Sequence, residues 1–350
     1  MGGEFKALDE RSREVLASVV SAYIRSASPV SSRHLSRSGG FTLSSASLRN
    51  AMADLEELGF LTHPHVSAGR VPTDLGYRTF VSELMRPAGP SVEERARIAS
   101  ELGAESFEMD RFLHAASRLL SRLTGEVAVV AAPDAGRFIL ESVHFTRVAE
   151  RKILVVQVSE AGLVDSRLIE TTEDYAQAEL DTISRRITVD YAKRSLLEIG
   201  SLLLSALREE KVRFDAELSR ALSLAWLAFA EARGRDGVFV EGTERIFEKP
   251  DYRDLELLRR MFHAFEEKAR LVTFLTDCLG SPAVSVVIGS ENAFTDETQS
   301  AVVTAAYGTG DRMLGVVGVI GPKRMPYSRI IPMVQELGRY VTWRLTEGVS

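Results

Sequence analysis

The chain of 350 residues holds a single cysteine, Cys278. A disulfide framework within one chain is therefore excluded, and a reducing compartment fits. Cys278 itself reads as a small buried hydrophobe on a helix. No uncharged stretch approaches the roughly 20 apolar residues of a membrane span, and the N-terminal MGGEFKALDE lacks the apolar run of a signal peptide. A cytoplasmic protein without a membrane partner is expected. Charge of one sign is scarce too, since 43 Lys and Arg against 49 Asp and Glu leave only −6 over the whole chain.

Catalytic signatures are missing as well. There is no P-loop, no G-x-S-x-G elbow and no H-E-x-x-H. Gly315, Gly318 and Gly321 are spaced by threes inside an apolar run that reads as a strand, which is not the dinucleotide fingerprint. His63 and His65 are separated by Pro64 with no cysteine near them, and Glu56 and Glu57 belong to the preceding helix, so no metal site is assigned. The carboxylates between Glu231 and Glu267 lie on helical faces and read as solvated surface. With no catalytic constellation and no cofactor site, the chain is not expected to be an enzyme.

What is present begins with the stretch from Phe41 to Val81, where helix, tight basic hairpin and helix follow one another. Ser44 is the expected N-cap, and Leu43 can staple onto Leu48. Leu48, Met52, Leu55 and Leu58 recur at helical spacing as an apolar stripe. The other face carries Ser45, Ala46, Arg49, Asn50 and Ala53, small residues that permit close approach to DNA and long polar ones that suit purine edges. Gly59 ends this helix. Phe60 to Thr62 and Arg70 to Pro72 form the strands of a hairpin whose tip is Ser67, Ala68 and Gly69, with Arg70 placed to meet a phosphate. Thr73 caps the next helix, which returns Tyr77, Phe80, Val81 and Leu84 to the core. Upstream, Asp9 caps a helix with Leu8, Val15, Leu16, Val19, Val20 and Tyr23 on its apolar face, and Pro29 to Ser38 supplies a short second helix bearing Arg33, ending at Gly39 and Gly40. Helix, helix, turn, helix, hairpin, helix is the order of a winged helix-turn-helix. Double-stranded DNA is its partner, with Ser45, Ala46, Arg49, Asn50, Ala53, Arg33, Ser67, Gly69, Arg70 and Thr73 as contact residues. An ordinary helical domain with a solvated polar face is the alternative. Residues 5 to 86 carry 10 Lys or Arg against 8 Asp or Glu, a balance that permits DNA binding without requiring it.

The stretch LRNAMADLEELGFLTHPHVSAGRVPTDLGYRTFV, together with FVEGTERIFEKPDY, SVVIGSEN and GVIGPKRMPYSRIIPMV in that order, resembles the heat-inducible transcription repressor HrcA family. The resemblance implies a homodimeric bacterial repressor, nucleoid-associated, that binds an inverted repeat upstream of chaperone operons and is kept active by the chaperonin. Four positions depart from the usual pattern: Val66 where Thr is expected, Leu75 for Lys, Ala51 for Glu, and Pro326 for a polar residue. Leu75 would remove one phosphate contact.

With 45% hydrophobic and 26% charged residues the composition is that of an ordinary globular chain, long enough for two or three cores. RPAGPS at 86–91 marks a linker, after which Ser91 and Glu94 form a capping box. The next helix carries Phe112, Ala116, Leu119, Leu120 and Leu123 and stops at Gly125. VAVVAAP, FILESVHF, KILVVQV and GLVDSRLIE are short β-rich runs, the last two joined across Glu160, Ala161 and Gly162. A helical block follows, with one stripe through Leu222, Ala225, Trp226, Phe229 and Ala230 up to Gly234 and another through Leu255, Leu258, Phe262, Phe265 and Leu275. AVSVVIG, SAVVTAAY and MLGVVGVIG return to strand, and a last helix runs from about Ser328 to Leu345. Strands, helices and strands again suggest one sheet with an insertion, in an α+β multidomain chain. The resemblance names the parts: residues 1–86 a winged-helix DNA-binding domain, 91–170 and 256–350 a GAF-like α/β domain, and 171–255 an inserted helical dimerisation domain. Leu222, Trp226 and Phe229 are its expected dimer contacts. A repressor responding to a small molecule in the GAF-like domain is the alternative function.

Overall fold

The computed structural model describes residues 8–37, 44–64, 69–104, 109–132, 138–160, 162, 164–213, 216–230, 237–278, 284–309 and 312–346. The expected staple from Leu43, the helix end at Gly39 and Gly40, the hairpin tip at Ser67 and Ala68, and also His65, Val66 and Gly234 lie outside these residues.

The N-terminal unit opens with α1 (Glu10–Ser26), capped by Asp9, whose carboxylate accepts the Ser12 N–H at 2.7 Å. Val15, Leu16, Val19 and Val20 are wholly buried along one face. The short α2 (Ser32–Arg37) and α3 (Ser45–Glu57) follow, the latter capped by Ser44 through the Ser47 N–H. Strands β1 (Leu61–Thr62) and β2 (Val71–Pro72) pair antiparallel, and Thr73 caps α4 (Asp74–Thr79), which runs into a single π turn at Phe80–Leu84. Leu48, Met52, Leu55, Tyr77 and Phe80 fill the core between these helices. Three of the four departures from the family pattern have plain structural places. Ala51 is buried, Leu75 packs against the core, and Pro326 stands just before the last helix, where a missing N–H costs nothing.

After the linker come α5 (Val92–Gly103), opened by the reciprocal Ser91–Glu94 capping box, and α6 (Met109–Thr124). Strand β3 (Val127–Ala131) then enters a sheet. The chain next leaves it for a separate unit made of β4 (Leu140–Ala149), β5 (Lys152–Ser159), β6 (Val164–Glu170), α7 (Gln177–Tyr191), α8 (Leu196–Arg213) and α9 (Ala216–Ala230). It returns with β7 (Val238–Glu241), α10 (Leu255–Glu266), α11 (Lys268–Asp277), β8 (Ser285–Ile288), α12 (Ala293–Glu297), β9 (Ser300–Thr309), β10 (Arg312–Pro322) and α13 (Tyr327–Thr346). The main sheet has the order β7-β3-β10-β9-β8 with every pair antiparallel.

Burial on both faces explains why these strands are apolar throughout. Ala128, Val130, Val303, Val317 and Val319 belong to the core shared with α6 and α13, while Val127, Val129, Val302, Val316 and Ile320 belong to the core formed with α10 and α11. Successive side chains point to opposite faces, and here each face meets helices. Gly315, Gly318 and Gly321 lie inside β10.

The topology corrects two expectations. The runs at 140–170 do not share a sheet with the C-terminal strands; they form the three-stranded sheet β4-β5-β6 by hairpin pairing between neighbours in sequence. Residues 238–241, expected within the helical insertion 171–255, instead pair with β3 as an edge of the main sheet, Val129 opposite Val240. The excursion from the main sheet thus spans about residues 138–230 and carries its own sheet as well as helices. Side chains on α7 seal its β4 edge: the N–H groups of Val143, Phe145 and Arg147 donate to Thr188, Ser184 and Gln177 at 2.9–3.1 Å.

Candidate nucleic-acid interface

Helix α3 is oriented by its apolar stripe. Leu48 and Leu55 are wholly buried and Met52 nearly so, which turns Ala46, Arg49 and Asn50 out to solvent. Arg49 and Asn50 are exposed and have no side-chain hydrogen bond or ion pair among the described residues. Ala53 is half-buried on the same helix, and the hydroxyl of Ser45 meets that of Ser32 on α2 at 3.2 Å, fixing the angle between the two helices. Arg33 is exposed on α2. Arg37, also exposed, stands one turn further along the same face, where its i, i+4 spacing from Arg33 was the signal that the sequence reading passed over. Among the described residues Arg33, Arg37 and Arg49 have no ion pair, so the surface formed by α2 and the outer face of α3 is cationic.

The hairpin is different. Glu56, near the end of α3, is half-buried and forms an ion pair with Arg70 at 2.5 Å and a contact with the His63 ring. It clips both arms of the hairpin to α3 and neutralises the arginine expected to meet a phosphate. Arg70 also exchanges backbone hydrogen bonds with Val30 at 2.8 and 2.9 Å. Gly69 is held against the same stretch, because a Cβ there would come within 2.5 Å of the Val30 carbonyl. Thr73 spends its hydroxyl on capping α4 and on donating to the Gly59 carbonyl at 2.6 Å. These contacts tie all three residues into the hairpin base. Sequence reasoning missed Glu56 because its partners sit 7 and 14 positions away, across a turn.

The expected dimer contacts are also corrected. Leu222 is 6% and Phe229 0% exposed inside the chain's own core, and of the three expected contacts Trp226 alone is half-buried. Gln157 on β5 donates to the Ala228 carbonyl at 3.0 Å, which locks α9 onto the three-stranded sheet. Likewise Leu255 is exposed, and α10 buries Leu257, Met261, Ala264 and Phe265 instead.

Comparison with known proteins bears on this surface. The family described as "HrcA protein C terminal domain" matches residues 110–331. The "Heat-inducible transcription repressor HrcA" of Geobacter sulfurreducens is 38% identical, covering 97% of this chain and 99% of that protein. The chain belongs to the HrcA family. The HrcA proteins of Syntrophobacter fumaroxidans (37%, covering 94% of each chain) and Xanthomonas campestris pv. campestris (38%, covering 94% and 93%) carry the same name. A crystal structure titled as a hypothetical protein at 2.2 Å resolution superposes with a TM-score of 0.69 at 22% identity, covering 97% of this chain and 99% of that one, a likeness of fold alone.

The three C-terminal HrcA stretches singled out in the sequence meet at one place, the joint beneath α4. From SVVIGSEN, Glu291 takes the Arg78 guanidinium in a two-pronged pair, Nε to Oε1 at 2.6 Å, and Ser290 N–H donates to Asp74 at 2.9 Å. Gly289 lies at φ +49°, and a Cβ there would fall 2.2 Å from an Asp74 oxygen. From GPKRM and the residues after it, Lys323 pairs with Asp74 at 2.7 Å and Tyr327 packs on Tyr77 with ring centroids 6.4 Å apart. Arg324 reaches the Ile24 carbonyl on α1 at 3.3 Å and Asp251 of FVEGTERIFEKPDY at 2.8 Å. Burial raises the Asp74 carboxyl pKa, but the hydrogen bonds and charge from Lys323 and Ser290 outweigh it and leave the group below its ordinary value. The Glu291 hydrogen bond holds the Arg78 guanidinium above its own.

Among the described residues no helix is long and apolar enough to cross a membrane, and no group of three or more His, Cys, Asp or Glu is placed to hold a metal ion.

Proposed function

We propose that the chain is a homodimeric transcriptional repressor that reads an inverted repeat in double-stranded DNA through α3. On this reading the N-terminal unit is a winged helix-turn-helix, the β1–β2 hairpin its wing, and the main sheet with its helices the GAF-like body. Its regulated genes are chaperone operons, and the chaperonin is the partner that keeps it active, as the resemblance of its motifs implies; the names of the relatives support heat-inducible repression. The observation that carries the reading is the outer face of α3, where Arg49 and Asn50 stand free between small residues, flanked by Arg33 and Arg37 on α2. Arginine suits guanine and asparagine suits adenine in the major groove, and a helix N-terminal half is the part that enters it.

The second copy that an inverted repeat requires has a surface to use. With the α9 stripe consumed internally, the outer face of the three-stranded sheet offers Leu154, Val156, Val158, Val164 and Leu168, with Leu168 56% exposed and paired across strands with Leu154. Selecting genomic fragments with the purified full chain tests the reading. Recovery of an inverted repeat near chaperone genes supports it, and recovery of random sequence refutes it.

Ligand control is the second reading. A cavity of about 410 Å³ between α1 and residues 80–86, lined by Ser18, Ser21, Arg25, Phe80, Leu84 and Arg86, has the size and cationic rim for a small organic anion. That reading requires saturable stabilisation by such anions, since a ligand of the native state raises the melting temperature by mass action.

A further inference from the structure

A repressor that reads two half-sites must hold its two reading helices at a fixed separation and angle. The only covalent tie between the N-terminal unit and the body is the segment 86–91, RPAGPS, without regular structure; the Ala88 N–H donates to the Ser328 carbonyl at 2.8 Å, and Ser91 at its end caps α5. Such a tie sets distance but not orientation. Orientation comes from the joint, where α4 is gripped at both ends: Asp74 in its first turn by Lys323 and the Ser290 N–H, and Arg78 in its last turn by Glu291 and the Val286 carbonyl. The partners lie more than 200 positions away in sequence and on the body alone. Between the two grips, Tyr77 packs on Tyr327, so α4 can neither roll nor slide without breaking a charged contact or an aromatic one. The absence of a side chain at Gly289 is what lets the Asp74 carboxylate sit against the body's backbone.

α4 is also continuous with the reading apparatus. Thr73 links its first turn to Gly59 and Phe60 at the end of α3, so a rotation of α4 is a rotation of α3. We propose that Asp74, Arg78, Glu291 and Lys323 are positioning residues for DNA recognition: without touching DNA, they set the half-site spacing that the dimer accepts. This rests on the reading of α3 as the DNA-contacting helix. Two modules held rigidly gain affinity from simultaneous contact only at a matching spacing, whereas loosely tethered modules gain less but tolerate many spacings.

The test uses the full chain as wild type, Arg78→Glu, Glu291→Arg and the double swap, titrated against the inverted repeat that wild type itself selects from random DNA. The repeat is offered at its native spacing, with one or two base pairs added or removed, and as a single half-site. Wild type should lose at least about tenfold in affinity when two base pairs are added or removed. Arg78→Glu should bind the native spacing about tenfold more weakly, bind all spacings within about threefold of one another, and bind the single half-site as wild type does. The double swap should restore the wild-type profile. Elastase cleavage after Ala88 gives an independent readout, faster in each single variant and slow again in the swap. Should Arg78→Glu fail to fold, Glu291→Gln removes the charge at constant size and carries the same expectations. An unchanged spacing profile in the folded single variants, or a swap that does not restore it, overturns the proposal. If wild type selects no inverted repeat, the DNA reading fails and the proposal with it, while the elastase result still reports whether the grip itself exists.

Discussion

Helices α3 and α9 both carry a face that the sequence offers to a partner, and the structure separates them. The α9 stripe, with Leu222, Ala225 and Phe229, is covered by the chain's own sheet and by α8. The outer face of α3, with Ala46, Arg49 and Asn50, is covered by nothing among the described residues. An apolar stripe says that something covers a helix but not what, and in a chain of this size the nearest cover is internal. A free arginine beside a free asparagine on a small-residue face has no such internal explanation. On the proposed reading, unpaired polar groups on a rigid helix locate the DNA interface better than apolar ones do.

The comparison can be broken most forcefully at Phe229. If α9 is core, Phe229→Ala should destabilise the protein by about 3–5 kcal/mol in denaturant titration. A folded, equally stable variant with altered oligomeric state would return α9 to the interface. The opposite outcome is expected for Leu168→Glu combined with Leu154→Glu on the open sheet face. That pair should leave the denaturation midpoint nearly unchanged and reduce the mass measured by light scattering to that of one chain.

Smaller effects sharpen the contrast within the N-terminal unit. Asp74 has its pKa lowered in the folded state, so its contribution to stability is complete above the ordinary carboxylate value and is lost as pH falls through the lower folded value. The acid unfolding curve of Asp74→Asn should therefore differ from wild type at neutral pH and converge with it below about pH 4. Glu56→Gln should release Arg70, raising affinity for random DNA and steepening its salt dependence by up to about one unit of slope. No change in slope would mean that Arg70 remains held by its backbone pairing with Val30.

What could be read from the sequence follows the range of the interactions. Asp9, Ser44, Thr73 and the Ser91–Glu94 box were legible because a cap is a bond between residues three apart. The strand runs were legible as runs. Their partners were not, since 128–131 and 238–241 pair across a hundred residues, while 140–170 has the same composition as the main strands and closes on itself. The joint was legible only as motifs of unknown purpose. Arg78 looks like an exposed helix arginine until Glu291 is folded onto it. On α3, the exposure of Arg49 and Asn50 was legible from their spacing against the Leu48 stripe, whereas the ion pair of Arg70 was not, because its partner Glu56 belongs to another element.

The most direct test of the central claim compares Arg49→Ala with wild type on two duplexes, the selected inverted repeat and a random sequence of the same length, at fixed salt. A base-reading arginine predicts a loss of about 1–3 kcal/mol on the repeat, a relaxed base preference at the position it contacts, and a much smaller loss on random DNA. Equal losses on the two duplexes would contradict it and reduce the outer face of α3 to a phosphate-binding surface.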